Sequence, residues 1–348
     1  MYGPSTTRGL GTAKGPAISQ LLTSGPETST PVASAPTRGR SPSQISWLRF
    51  RRDRVGVISA YVVLFFIVVA ILAPLIAKVY GKTPYITYGQ NTPGLLDDYG
   101  FPAGPNGGIN SHFWLGLEPG LGRDVFTQLI YGARTSLFIS GAVAVITTVV
   151  GVLYGIVTAY LGGWVDSVGG RVMDIVYAFP GLLFIIAFSP VVESLFVKPD
   201  QETPSWLRFG SIIFILSVLG WVYQARIIRG QVLSLREREF VDAARMSGAS
   251  SWRIVRKELL PNLWSPILVT FSLTLPALIT TEAALAFLGV GIVEPIPDWG
   301  RMINRGAQVY TDDLSYMFFP GVALFVLVLC FNLLGDSVRD ALDPKGTR

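Results

Sequence analysis

The chain has one cysteine, Cys330, and one histidine, His112. A disulfide scaffold, a zinc finger and a paired-cysteine redox centre all need more thiols, and a His-rich metal site needs more imidazoles. Charge is scarce as well. Asp, Glu, Lys and Arg make up 15% of the 348 residues, against about 25% in soluble domains. Signatures of catalysis are missing too. No G-x-x-x-x-G-K-[ST] phosphate loop occurs, and the single Gly81-Lys82-Thr83 lacks the upstream glycine and reads as a turn. The G-x-S-x-G, H-E-x-x-H and kinase patterns are also absent.

Apolar surface is plentiful. Hydrophobic residues reach 50% and the mean hydropathy is +0.47, which excludes disorder over the whole chain and points to an integral membrane protein. Six charge-free runs, at 55–77, 135–165, 175–192, 209–225, 259–281 and 314–335, approach or exceed the roughly 20 residues that cross a bilayer. None alternates with period 2, so a barrel is disfavoured. Backbone facing lipid must bond to itself, so the runs should be helices. The sequence thus predicts an all-α membrane protein with six transmembrane helices. The long run at 135–165 implies tilt or interfacial ends. Gly151-x-x-x-Gly155 permits a close helix contact, and Pro180, Pro266 and Pro276 read as kinks.

The flanks differ in kind. Ser, Thr, Pro and Gly supply 26 of the first 45 residues, so 1–42 reads as a disordered, solvated tail with no apolar segment of a signal peptide. Ile45, Trp47, Leu48 and Phe50 then interleave with Arg49, Arg51, Arg52 and Arg54. That pattern suits a short interfacial helix on acidic lipid, leading directly into a span. The expected organisation is a tail at 1–42, interfacial helix and first span at 43–78, an extracytoplasmic loop at 79–132, a core of spans at 133–336 and a C-terminal segment at 337–348.

Six spans place both termini on one side. That side holds 20 of the 28 Lys and Arg residues, which marks it as cytoplasmic. The basic pI of about 9.3 then reflects topology, with no nucleic-acid partner implied. The membrane interior carries almost no ionisable groups, whereas an ion-coupled secondary transporter wants them there. Glu282 is the one carboxylate within the apolar stretch 259–293. It falls near the outer interface, as a structural group or as a pathway or gate residue.

The most informative segment is 230–261. Strong helix formers suggest a helix at 237–246, Gly248 suits its stop, and Ser250 or Ser251 suits the cap of a second helix at 252–260. Pro261 should mark the entry to the fifth span. Such a pair reads as a surface-lying amphipathic hairpin or as a docking element for a cytoplasmic partner. Tethering between two spans argues against a DNA reader.

The string DAARMSG at 242–248, followed by Leu260-Pro261, resembles the loop of ABC importer permeases. Asp242 stands where that family has Glu, and Glu258 where it has Ile. The stretch 112–137, HFWLGLEPGLGRDVFTQLIYGARTSL, is similar to a segment of C-type oligopeptide and dipeptide permeases, with Gly116-Leu117-Glu118 in place of Gly-Thr-Asp. RVMDIVYAFP at 171–180, TEAALAFLGVG at 281–291, PDWGRMI at 297–303 and NLLGDSVRDALDP at 332–344 extend the likeness over about 46–344.

The resemblance implies a type I ABC importer permease fold with a cytoplasmic coupling loop. It also implies a second permease, two cytoplasmic ATPases and an extracytoplasmic binding protein as partners. ATP and Mg would sit on those partner subunits, so this chain would be non-catalytic and hold no cofactor or metal of its own. Docking would fall on Asp242, Ala243, Ala244, Gly248, Ala249, Ser250, Ser251 and Trp252. The implied cargo is a di- or oligopeptide, with nickel or another small solute as the alternative within the family.

Overall fold

The computed structural model describes residues 42–198, 201 and 203–343. The expected tail, apart from its last residue, and 344–348 lie outside the described residues. Among the described residues there is no β-strand, only two isolated bridges in the segment after the first span.

Helix α1 (Pro42–Arg52) ends at Asp53, whose carboxylate accepts the Val55 N–H at 3.0 Å and so caps α2 (Arg54–Tyr80). That cap and the apolar run explain why the span starts here. Gly81, with φ of 77°, stops it. The next stretch holds two single turns, α3 (Tyr88–Asn91) and α4 (Pro105–Gly108). It folds back onto α2 through the Tyr80 hydroxyl, which accepts the Trp114 N–H at 3.1 Å and lies 3.0 Å from Asp124. Asp124 in turn caps α5 (Val125–Leu161) by accepting the Thr127 N–H at 2.7 Å. Its 37 residues span about 55 Å, so α5 starts ten residues before the expected run and projects beyond the hydrocarbon.

The expected span at 175–192 is not straight. It divides between α6 (Gly163–Ala178) and α7 (Gly181–Ser194), bent by 82°. Pro180 is the cause: its ring disfavours helical geometry at the preceding residue, and Phe179 is extended at φ −72°, ψ 131°. Helix α8 (Ser205–Leu235) lies alongside α5. Gly151 and Gly155 are what let it in, since a Cβ at either would come within 2.8 Å of the Trp221 or Ala225 carbonyl oxygen.

After α8 come α9 (Glu239–Met246) and α10 (Ser251–Ile254). A π-turn at Val255–Leu259 leads into α11 (Leu260–Phe287), and α12 (Trp299–Gln308) and α13 (Ser315–Leu342) follow. The second loop helix and the fifth span are therefore one element, Ser251–Phe287. Pro261 does not interrupt it. The π-turn immediately before Pro261 re-routes the backbone bonds where that residue has no N–H to give. Pro266 and Pro276 likewise lie inside the continuous α11.

Among the described residues five helices are long and apolar enough to cross a membrane, and the bent pair passes the same test when taken as one span. The contacts fix their alternation. Arg236 at the end of α8 donates to the Ala159 carbonyl near the end of α5, while Phe138 and Phe209 meet near the opposite ends. These two helices are therefore parallel, and α6–α7 must return between them. Arg49 donates to the Asp343 carbonyl, so the start of α2 and the end of α13 share an end. Tyr80 at the end of α2 meets Asp124 at the start of α5, so that shared end is the one where α5 and α8 finish and α9 follows. At the far end, Glu118 is fully buried and forms an ion pair with Arg123, and Gln128 donates to it at 3.1 Å. Arg305 lies 3.3 Å from both Glu118 and Glu294, and Arg123 is 3.2 Å from Glu294. Burial alone would lower the Arg123 guanidinium, but the Glu118 carboxylate outweighs it and holds the pKa above the ordinary arginine value.

Candidate functional site

The eight residues singled out in 242–252 form one compact turn at the end of the bundle where Arg49 meets Asp343. It is built from two surfaces. Inward, Val241 and Ile254 are 0% and 1% exposed and pack with Val152, Ile156, Ile228, Val232, Leu259, Leu263 and Ile267. Outward, Asp242, Ala243, Gly248, Ser250, Ser251 and Trp252 are exposed, while Ala244 and Ala249 are half-buried against the core.

Backbone hydrogen bonds set the shape. The Gly248 N–H donates to the Arg245 carbonyl at 2.9 Å and the Ala249 N–H to the Ala244 carbonyl at 3.0 Å. This is the paired pattern that closes a helix when a left-handed residue follows it. Gly248 supplies that residue at φ +76°, where a side chain is strained. Two residues later the Ser250 hydroxyl accepts the Arg253 N–H at 3.4 Å and starts the next helix. The Arg245 guanidinium lies 6.0 Å from the Tyr160 ring centre at the end of α5 and 3.3 Å from Asp242.

The outward surface is incomplete. Nothing lies within 4 Å of where a Gly248 Cβ would stand. Trp252 is 70% exposed and Met246 84%. A cleft of about 220 Å³ opens among Ala244, Ser247, Ala249, Arg253, Ile254 and Glu258. Beside it runs an apolar groove of about 410 Å³ between Trp252, Val255 and Leu260 and the α5 residues Val152, Ile156 and Tyr160. Phe240, Met246, Arg253 and Glu258 join this surface without having been singled out. Phe240 and Met246 are exposed apolar side chains on a helix that also carries Glu239, Asp242 and Arg245.

Glu282 lies elsewhere, toward the far end of α11. It is 3% exposed and faces Asp298 and Ser136. Asp298 caps α12 by accepting the Arg301 N–H, and Gly300 seats α12 so tightly that a Cβ would meet the Ala283 carbonyl at 2.2 Å. The carboxyl therefore sits beneath the α12 anchor.

Residues 151–348 match the family of binding-protein-dependent transport system inner membrane components, and residues 41–94 match the N-terminal transmembrane domain of oligopeptide transport permease C. The dipeptide transport system permease protein of Bacillus subtilis (strain 168) is 36% identical over 306 residues, covering 88% of this chain and 86% of that protein. The glutathione transport system permease protein of Pectobacterium atrosepticum is 32% identical, with 88% and 92% covered. An inward-facing structure of the MetNI methionine ABC transporter superposes with a TM-score of 0.50 at 19% identity, over 62% of this chain and 96% of that one, and so supports the fold alone. On these matches the chain belongs to the binding-protein-dependent ABC importer permeases, in the C-type group of the oligopeptide and dipeptide systems.

Proposed function

We propose that this chain passes di- or oligopeptides across the cytoplasmic membrane, driven by ATP hydrolysed on partner chains that dock against the 242–252 turn. The single observation that carries the docking role is the two-faced construction of that turn. Its inner side belongs to the packed core, and its outer side offers Trp252, an open Gly248 and an unfilled cleft. Exposed aromatic anchors beside small residues are what dominate protein interfaces. The peptide cargo is supported by relatives named for dipeptide, oligopeptide and glutathione transport.

In this reading a second permease completes the pathway, two ATPases occupy the cytoplasmic face and a binding protein delivers cargo on the other. The distribution of Lys and Arg supports a cytoplasmic position for the termini and the turn. Glu282, buried under α12, is a structural group of the outer end or a pathway or gate residue. The test is reconstitution of the chain with its partner permease, ATPases and binding protein in proteoliposomes. ATP-dependent accumulation of a labelled dipeptide or tripeptide is expected. Accumulation of nickel with no peptide uptake would overturn the cargo assignment.

A further inference from the structure

We infer that the far end of the bundle carries a carboxylate-binding pocket centred on Arg134, which receives the C-terminal carboxylate of an incoming peptide. The inference rests on the peptide-import reading above and assigns it a residue.

Arg134 is the single charged residue among the 37 of α5. It lies about 14 Å along the helix from Val125, immediately before the apolar run 135–165, in the part of α5 that projects beyond the hydrocarbon. At the same end of the bundle Arg123 and Arg305 are neutralised by Glu118 and Glu294. Arg134 is exposed and forms no ion pair among the described residues. Its guanidinium borders a cavity of about 410 Å³, a size that suits a small ligand.

The walls of the cavity are aromatic. Tyr85 meets Tyr131 edge to face at 6.0 Å, and Phe138 meets Phe209 in the same way at 6.0 Å. Thr135 and Pro297 help to close it. The walls thus come from α5, from α8 and from the two segments that precede α5 and α12.

The anion that fits is a carboxylate on a small molecule with apolar parts. A guanidinium fork matches a carboxylate with two parallel hydrogen bonds, and aromatic walls accept the adjoining side chain. A linear peptide offers one such group at its C-terminus. A lipid phosphate is the rival, but arginines that serve headgroups extend along apolar surface to an open interface. This one borders a cavity with walls drawn from four segments of the chain.

The experiment uses the whole reconstituted importer. Uptake of a tripeptide with a free C-terminus is compared with uptake of the same tripeptide as its C-terminal amide. The binding protein's affinity for each peptide is measured separately, so that uptake is compared at equal saturation. The wild type should prefer the acid. Arg134→Gln should lower acid uptake roughly tenfold, in line with loss of a charge-assisted contact, and bring the acid-to-amide ratio close to one. Arg134→Lys, which keeps charge without the fork, should give an intermediate ratio and carries the test if the glutamine variant fails to assemble.

An acid-to-amide ratio unchanged from wild type overturns the pocket, including the case where both uptakes fall together, which would assign Arg134 to a partner contact. An effect that follows the phosphatidylglycerol content of the vesicles and ignores the peptide terminus would assign Arg134 to a headgroup and also overturn it. Wild-type vesicles that import neither peptide would reject the peptide-import reading itself, and this inference with it.

Discussion

Replacing Gly248 separates a turn from a docking surface. Its φ of +76° lies where a residue with a Cβ is strained by about 1–2 kcal/mol. Alanine adds that strain and nothing more, because no atom stands within 4 Å of the new Cβ. If ATPase docking needs the observed turn, Gly248→Ala should weaken it by about 5- to 30-fold. Asparagine tolerates left-handed backbone, so Gly248→Asn should lose only a few-fold. Tryptophan carries the alanine strain and also projects a large ring outward, into the space where a partner would sit. Internal clash cannot account for its effect. The assay is recovery of ATPase subunits with the affinity-tagged permease at matched membrane abundance, followed by peptide uptake. The expected order of recovery is wild type, Asn, Ala and then Trp, with Trp near zero. Equal behaviour of Ala and Trp would show that the outward face of Gly248 meets no partner. Wild-type recovery and uptake in Gly248→Trp would refute the coupling role of the turn.

Three further outcomes are expected. Ile254→Ala, which empties a side chain that is 1% exposed, should destabilise the turn by about 2–4 kcal/mol, seen as faster proteolysis between α8 and α10; unchanged proteolysis would count against anchoring through this side chain. Glu118→Gln leaves Arg123 buried without its main carboxylate, and loss of one partner of a buried pair typically destabilises by about 3–5 kcal/mol. The thermal unfolding midpoint in detergent should fall, and less so in Glu118→Gln/Arg123→Met; an unchanged midpoint in the single variant would refute this account of the far end. In a Cys330→Ala background, cysteine at Tyr99 should be labelled by an impermeant reagent from outside intact cells and cysteine at Glu237 should not, and the reverse pattern would invert the topology.

The spans were legible because lipid imposes two simple demands, apolar length and internal backbone bonding, and both can be read along a single chain. The stop at Gly248 was legible, and the next start was narrowed to Ser250 or Ser251, because both depend on residues a few positions apart. What escaped the sequence depends on geometry or distance. The sequence at Pro180 predicts a kink, but its effect is an 82° break between α6 and α7. Pro261 was read as a boundary, yet a π-turn carries the helix through it. The pairing of Arg123 with Glu294 joins residues 171 positions apart, and no local pattern announces it. The anchoring of α12 over Glu282 has the same character: a carboxylate in an apolar run is visible, but the Asp298 cap and the Gly300 contact that bury it come from folding.

The position of the turn explains how a force applied there reaches the membrane. Val241 and Ile254 share one packed cluster with Val152 and Ile156 of α5, Ile228 and Val232 of α8 and Leu263 and Ile267 of α11. Ile254 also belongs to the same continuous helix as the fifth span. A displacement of the turn is therefore passed on in two ways: directly along Ser251–Phe287, and sideways through close-packed side chains that resist compression. The π-turn at Val255–Leu259 departs from α-helical bonding, and Pro266 and Pro276 further along have no N–H to donate, so bending should concentrate at these points. The other end of α11 is held by α12 through Asp298 and Gly300. In the docking reading proposed above, motion fed in at the turn would meet an element whose far end is packed against α12.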